Sequence, residues 1–334
     1  MAHALVTGGG GFLGKAIVRR LVARGDTVRC FSRRHYPELD QLGIEQQHGD
    51  LTNADAVAEA VAGCDIVFHV AAKAGFWGAF DDYYQANVMG TRHVLAACRR
   101  HGVQRLVHTS SPSVVFTGRD MEGVDESVPY ATHFETPYPR TKAEAERLVL
   151  QANDSSLASV ALRPHLIWGP GDPHIIPRLI ARAKAGQLRR IGRMNKRVDS
   201  VYVDNAADAH LLAADRLYPG ATVAGKAYFI SQGEPVPLWD LINRILAAAG
   251  VPPVTRSVPF AVAYGAGWLL ELLYGGLRLK GEPRMTRFLA RELATAHWFN
   301  ITAARRDLGY EPKVSMDEGL QRLAKAWQAE KANV

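Results

Sequence analysis

Tyr138 and Lys142 stand four residues apart within the segment His133-Phe134-Glu135-Thr136-Pro137-Tyr138-Pro139-Arg140-Thr141-Lys142-Ala143-Glu144-Ala145. The Ala/Glu-rich run Ala143–Leu150 favours helix, and on a helix positions i and i+4 share one face. The lysine ammonium then lies under the tyrosine phenol. A phenol titrates near ~10, and a neighbouring cation favours the phenolate and lowers that value. Such a tyrosine can pass a proton near neutral pH. The same spacing also describes an ordinary surface Tyr–Lys pair, so the choice rests on the other end of the chain.

There, Gly8-Gly9-Gly10-Gly11-Phe12-Leu13-Gly14 reads as Gly8-x-x-Gly11-x-x-Gly14 preceded by Thr7. It follows the apolar run Ala4–Thr7 and opens the helical pattern Phe12–Ala23, the context such a loop requires. Glycines permit the tight turn, and backbone N–H groups at the positive end of a helix can approach a pyrophosphate. A dinucleotide is expected against Gly8, Gly11, Phe12, Leu13 and Gly14. An acidic residue at the end of the second strand would hold a ribose diol, whereas arginine accommodates a 2′-phosphate. The stretch Cys30-Phe31-Ser32-Arg33-Arg34 has no carboxylate. Ser32, Arg33 and Arg34 therefore point to NADP(H), with two solvated arginines as the plainer alternative.

These groups need a frame, and the first half supplies alternating strands and helices. After Ala4–Thr7 and Phe12–Ala23 come strands at Thr27–Ser32 and Ile44–His48, then a helix at Asn53–Val61 capped by Asn53 or Thr52. Asp65–Ala71 is a continuous buried strand, Tyr83–His101 a long helix and Arg105–Ser110 another strand. This alternation implies an α/β fold, a Rossmann-type doubly wound parallel sheet, with a smaller C-terminal substrate lobe. The second half is less regular. Strands are expected at Ser159–Leu162, Val198–Val203 and Ala227–Ser231, and helices at Ile175–Ala185, Asn205–Arg216 and Leu238–Ala249. Residues 1–165 form the expected nucleotide domain, with later segments returning to it, and 166–334 mainly the substrate lobe.

At 334 residues, 47% hydrophobic and 22% charged, the chain has the composition of a soluble globular protein of one or two domains. Three cysteines without a Cys-x-x-Cys pair argue against a disulfide framework or a cysteine-based zinc site, and no metal is expected. A strand begins directly after Met1-Ala2-His3, with no signal peptide visible, so the expected location is cytoplasmic. The formal charge is +7, and Arg178, Arg182, Lys184, Arg189, Arg190, Arg193, Lys196 and Arg197 crowd into one run. No nucleic-acid module accompanies it, which leaves a solvated face or attraction of an anionic cofactor or substrate.

Together these features resemble the extended short-chain dehydrogenase/reductase family over essentially the whole chain. Gly49-Asp50-Leu51 resembles the segment that meets the adenine, and His69-Val70-Ala71-Ala72 the strand end beside the cofactor. Asn87-Val88-Met89-Gly90-Thr91 resembles the helix bearing a structural-catalytic asparagine. Thr109-Ser110-Ser111-Pro112-Ser113-Val114 resembles the serine-bearing strand, with Ser111 three residues before a valine as the family pattern requires. The resemblance implies that Ser111, Tyr138, Lys142 and Asn87 are catalytic. It further implies that Asp50, Leu51, Ala71, Ala72 and Lys142 join the cofactor site, and that Asn87 supports Lys142 through water or backbone.

Within the family, Pro137–Lys142 and Pro283-Arg284-Met285-Thr286-Arg287-Phe288 resemble the 3β-hydroxysteroid dehydrogenase-like branch. Gly75-Phe76-Trp77-Gly78 and Arg163–Pro173 further resemble bacterial members that reduce long-chain 2-alkyl-3-oxoalkanoic acids with NADPH in olefinic hydrocarbon biosynthesis. Such a substrate needs a roomy apolar pocket. Val258–Leu279, rich in leucine and aromatic residues, offers a core helix, a pocket lining or a surface resting on a membrane. Phe76 and Trp77 offer another wall. Three other readings stay open: a hydroxysteroid or sterol-carboxylate dehydrogenase, a nucleotide-sugar epimerase or dehydratase, and a non-catalytic NADP-sensing protein. The family likeness also implies a homodimer through Tyr83–His101 and Tyr138–Gln151, and association with neighbouring pathway enzymes.

Overall fold

The computed structural model describes residues 1–192, 194–279 and 281–332; Arg193 of the basic run lies outside them. The strands are β1 (His3–Thr7), β2 (Thr27–Ser32), β3 (Glu45–His48), β4 (Ile66–His69), β5 (Arg105–Thr109), β6 (Met121–Val124) and β7 (Ala158–Pro164). Short strands follow: β8 (Ile167–Trp168), β9 (Arg190–Ile191), β10 (Arg197–Val198), β11 (Val201–Tyr202), β12 (Ala227–Ile230), β13 (Val236–Pro237), β14 (Ser257–Val258) and β15 (His297–Phe299). The α-helices of the first half are α1 (Phe12–Ala23), α2 (Pro37–Asp40), α3 (Ala54–Val61), α4 (Phe80–Tyr83), α5 (Gly90–Arg100) and α6 (Pro137–Gln151). Those of the second half are α7 (Ile175–Lys184), α8 (Val203–Arg216), α9 (Leu238–Ala248), α10 (Phe260–Gly276), α11 (Arg287–Glu292) and α12 (Met316–Ala332).

Seven parallel strands form the central sheet in the order β3-β2-β1-β4-β5-β7-β12. Every residue of β4 and β7 is buried, as expected for a parallel sheet covered on both faces. Helices α1 and α8 pack together on one face, and α3 and α5 on the other with α6 beside them. Strand order reverses between β1 and β4, where Thr7 pairs with His69. That reversal leaves a crevice beyond the strand ends, the place where such sheets bind nucleotides. A four-stranded sheet, β13-β10-β15-β6, builds the second lobe.

Three expectations need correction. Val198–Val203 is not one strand: β10 pairs with β13 and β15, whereas β11 pairs with β8. Asp199 lies at the break, wholly buried, and its carboxylate accepts from Ser200 N–H (2.8 Å), Ser231 Oγ (2.7 Å) and Gly233 N–H (3.0 Å). Those bonds turn the chain between the sheets. Tyr83–His101 is not one regular helix, because a π-helical stretch, Tyr84–Met89, separates α4 from α5.

The third concerns Val258–Leu279, where the core helix, one of the three readings open for it, is excluded because α10 lies on the surface. Of its residues only Ala263 and Gly267 are buried, while Trp268, Leu269 and Leu272 are each half exposed. Gly267 has a specific role: a Cβ there would lie 2.7 Å from the Thr286 backbone, so glycine lets α10 rest directly on the start of α11.

Candidate active site

Pro137 occupies the first position of α6, where its missing N–H costs nothing, so Tyr138 falls in the first turn. Tyr138, Lys142 and Glu146 then form one stripe at i, i+4 and i+8. Glu146, wholly buried, anchors the stripe: Arg163 of β7 contacts it through Nε (3.0 Å) and a terminal nitrogen (2.6 Å), and Tyr130 donates at 2.6 Å. These bonds hold the carboxyl of Glu146 below the usual range against the opposing effect of burial.

Lys142 is buried and turned into the sheet, donating to the Thr109 carbonyl at 2.6 Å and lying 3.3 Å from His108 Nε2. Burial pushes its pKa down to about 8. The pKa of Tyr138 is raised, chiefly by burial; the adjacent Ser111 hydroxyl opposes that rise and the carboxyl of Glu292 adds to it. The expected depression of the Tyr138 pKa by Lys142 is therefore not produced by the protein's own groups, because the ammonium is directed at Thr109.

The two adjacent serines differ in burial, Ser110 buried and Ser111 partly exposed. Ser110 lies inside, on the side of Glu146. Ser111 caps the turn Pro112–Val114, accepts from Ser113 N–H (3.2 Å) and Ser113 Oγ (3.0 Å), and stands beside Tyr138. Asn87, buried within the π-helical stretch, accepts from Lys73 N–H (2.7 Å) and donates to the Lys73 carbonyl (3.1 Å) and to Thr141 Oγ1 (3.1 Å). It ties the loop after β4 to α6 at the residue beside Lys142, without touching Lys142 itself. A π-bulge re-aims a side chain in this way and recurs at functional positions.

The nucleotide loop occupies the crevice between β1 and β4. Gly8 has φ +70°, a left-handed conformation that favours glycine. A Cβ on Gly14 would lie 2.1 Å from the Gly8 carbonyl oxygen, so only glycine lets α1 start against the turn. Gly11 caps α1 without a side-chain bond, and the first N–H groups of the helix, at Phe12, Leu13 and Gly14, are available to a phosphate. Thr7 Oγ1 gathers the strand ends, meeting His69 Nδ1 (2.9 Å) and accepting from Val70 N–H (3.1 Å) and Ala71 N–H (3.2 Å). Ala72, next in line, is exposed.

In the segment expected to meet the adenine, Asp50 accepts from Thr52 N–H and Thr52 Oγ1, both at 2.9 Å. Its carboxyl is held below the usual range by those bonds and by Arg33. Leu51 is buried, and Ser32 Oγ donates to the Arg34 carbonyl at 2.8 Å. Arg33 and Arg34 are exposed. These residues fit a dinucleotide: a glycine cradle, free helix N–H groups and two cations at the second strand.

Phe76, Phe116 and Phe288 form an aromatic cluster between the loop after β4 and α11. Phe288 lies 5.1 Å from Phe76 and 5.7 Å from Phe116 between ring centres, and Trp77 meets Tyr274 edge-on at 6.3 Å. A cavity of about 500 Å³ is lined by Phe116, Phe134, Tyr264 and Phe288 together with Arg119, Glu135, Arg287 and Arg291. One group here escaped the sequence reading. Glu292, at the end of α11, has a carboxyl pushed up to about 8 by burial and acts electrostatically on Tyr138. No motif marks it; it stands one helical turn after Phe288 on α11.

Residues 5–260 match the family model described as the 3-beta hydroxysteroid dehydrogenase/isomerase family. The chain is similar to the 2-alkyl-3-oxoalkanoate reductase of Stenotrophomonas maltophilia, at 56% identity over 96% of this chain and 97% of the relative. It is similar to the enzyme of the same name from Shewanella oneidensis, at 51% identity over 97% of this chain and 86% of the relative. Among solved structures, a short-chain dehydrogenase/reductase superfamily protein from Agrobacterium tumefaciens with bound NAD aligns with a TM-score of 0.76. It is 25% identical, and the alignment covers 99% of this chain and 98% of the other.

Proposed function

The chain belongs to the 3-beta hydroxysteroid dehydrogenase/isomerase family, and within it we propose that this oxidoreductase reduces the ketone of long-chain 2-alkyl-3-oxoalkanoic acids to the 3-hydroxy acid. The observation that carries the reading is the 56% identity, over nearly all of both chains, to a relative with that name. The aromatic cluster of Phe76, Phe116 and Phe288 supports a lipophilic substrate.

A nicotinamide dinucleotide bound in the crevice between β1 and β4 supplies the hydride. The absence of a carboxylate after β2, with Arg33 and Arg34 exposed, favours NADP(H). Tyr138 then gives its proton to the ketone oxygen, and Ser111 donates a hydrogen bond that stabilises the charge developing there. Lys142, held by the Thr109 carbonyl, keeps further N–H groups that would hold the ribose of such a cofactor. Asn87 acts through Lys73 and Thr141 as a positioning residue.

A membrane surface is the further partner. Helix α10 exposes Phe260, Val262, Trp268, Leu269, Leu272 and Leu273 beside the Trp77 loop at the pocket. Exposed Arg256 precedes the helix and Arg278 and Arg284 follow it, none with a carboxylate partner among the described residues. An apolar ridge between cations matches an anionic bilayer, from which a two-chain fatty acid would enter. No helix among the described residues is long and apolar enough to cross a membrane.

The testing experiment offers NADPH or NADH with a 2-alkyl-3-oxo acid, a steroid ketone and a UDP-sugar in parallel. Net oxidation of NADPH by the branched oxo acid supports the reading. Turnover confined to the steroid, or sugar conversion without net cofactor consumption, overturns it.

A further inference from the structure

We propose that His108 is a positioning residue for the cofactor: its Nε2 accepts an N–H of the Lys142 ammonium and so keeps that ammonium charged and aimed. The inference rests on the reading that Lys142 holds the ribose of a nicotinamide dinucleotide. It adds a buried side chain of β5 to the Tyr138–Lys142 pair, which the four-residue spacing alone does not contain.

Lys142 and His108 are both buried, and Lys142 Nζ lies 3.3 Å from His108 Nε2 and 2.6 Å from the Thr109 carbonyl oxygen. A buried ammonium needs acceptors for its three N–H groups. Thr109 takes one and His108 a second, which fixes the direction of the third. One strand, β5, thus offers the ammonium a side chain at 108 and a carbonyl at 109.

The neighbouring histidines cannot take that part. Thr7 Oγ1 already accepts from Val70 N–H and Ala71 N–H, so its hydroxyl donates to His69 Nδ1 at 2.9 Å. The other nitrogen of His69 then donates to Thr91 Oγ1 at 2.9 Å. His210 donates through Nδ1 to the Ala206 carbonyl at 2.7 Å, which leaves its Nε2 to accept from Thr109 Oγ1 at 2.8 Å. Both of these rings are fully engaged. His108 Nδ1, by contrast, has no partner among the described residues and can carry the ring proton. With the proton there, Nε2 presents its lone pair to Lys142.

Charged and titratable groups from several elements face this contact. Glu146, one turn further along α6, favours the ammonium, but Arg163 of β7 and Tyr130 already bind its carboxylate. Tyr138, one turn earlier, stays a neutral phenol, its pKa raised chiefly by burial. His69 of β4, His210 of α8 and His108 itself are kept neutral by burial. Burial also dominates at Lys142 and pushes its pKa down to about 8. A neutral acceptor bonded to the charged form works against that fall.

The test follows NADPH affinity by fluorescence as a function of pH, which is independent of the oxo-acid substrate. Wild type, His108→Phe, His108→Leu and His108→Gln are compared, with Lys142→Ala alongside and thermal unfolding as the measure of fold. In the wild type, affinity should fall as pH rises through about 8, where Lys142 loses its proton. Phenylalanine or leucine removes the acceptor and disfavours the ammonium, so the fall should come about one pH unit or more lower. Glutamine, whose side-chain oxygen can accept in place of Nε2, should restore the wild-type midpoint. An unmoved midpoint in His108→Phe and His108→Leu, whatever their thermal unfolding, would overturn the assignment, as would an equal shift in His108→Gln. Lys142→Ala with wild-type affinity at every pH would instead overturn the cofactor role of Lys142, and this one with it.

Discussion

Helices α6 and α10 are close in length, fifteen and seventeen residues, yet follow opposite rules of burial. On α6 the polar residues Thr141, Lys142 and Glu146 are buried, and each is tied to a neighbouring element. On α10 the large apolar residues face outward, and the helix touches the body through Ala263, Gly267 and the Glu271–Arg287 pair. Burying a lysine and a glutamate is costly unless both are bonded. Leaving leucines exposed forgoes stability that burial would supply. Neither pattern follows from folding alone. The helix that holds the proposed chemistry is over-determined, and α10 leaves a broad apolar surface exposed.

The sharpest break in that contrast is Tyr138→Phe. Removing the proton donor should lower turnover by about 10²–10⁴-fold, with NADPH binding by fluorescence unchanged. Next, Glu146→Ala leaves Arg163 buried without its partner, which costs on the order of 3–5 kcal/mol in a urea titration. An equal cost from any substitution on the outer face of α10 would remove the distinction between the helices.

A smaller effect concerns acid. Burial lowers His69 to about 3 and His210 to about 4, beside the β4 and β5 strand ends. Both folded values lie below the unfolded value of ~6.5. Their contribution is therefore full above pH ~6.5 and lost as pH falls, reaching about 2 kcal/mol per histidine at pH ~5. Urea midpoints measured across that range should fall steeply. The smallest effect on stability belongs to α10. Serine or glutamine at Trp268, Leu269, Leu272 and Leu273 should shift stability by about 0.5 kcal/mol or less apiece. The same changes should abolish sedimentation with anionic vesicles; unaltered sedimentation would detach α10 from the membrane.

Local signals carried much of this molecule. The glycine spacing, the Tyr138–Lys142 interval and the alternation of strands depend on short-range geometry, and the parallel sheet follows from them. What escaped depends on contacts distant in sequence. The split of Val198–Val203 arises at Asp199, whose partners Ser231 and Gly233 lie in another segment. The orientation of Lys142 toward Thr109 depends on how α6 docks on β5. Glu292 is far in sequence from Ser111, Tyr138 and Lys142, and only the placement of α11 lets its charge act on Tyr138. The exposure of α10 was likewise unreadable, since a uniformly apolar helix has no face to assign.

The central claim is net hydride delivery to the ketone of a branched 3-oxo acid with Tyr138 as proton donor. Its most direct test uses NADPH deuterated at the transferring position of the nicotinamide and mass analysis of the product. The account predicts one deuterium at C3 of the 2-alkyl-3-hydroxy acid, one NADP⁺ formed per product, and neither in Tyr138→Phe. Product without deuterium, or full labelling by Tyr138→Phe, would contradict it.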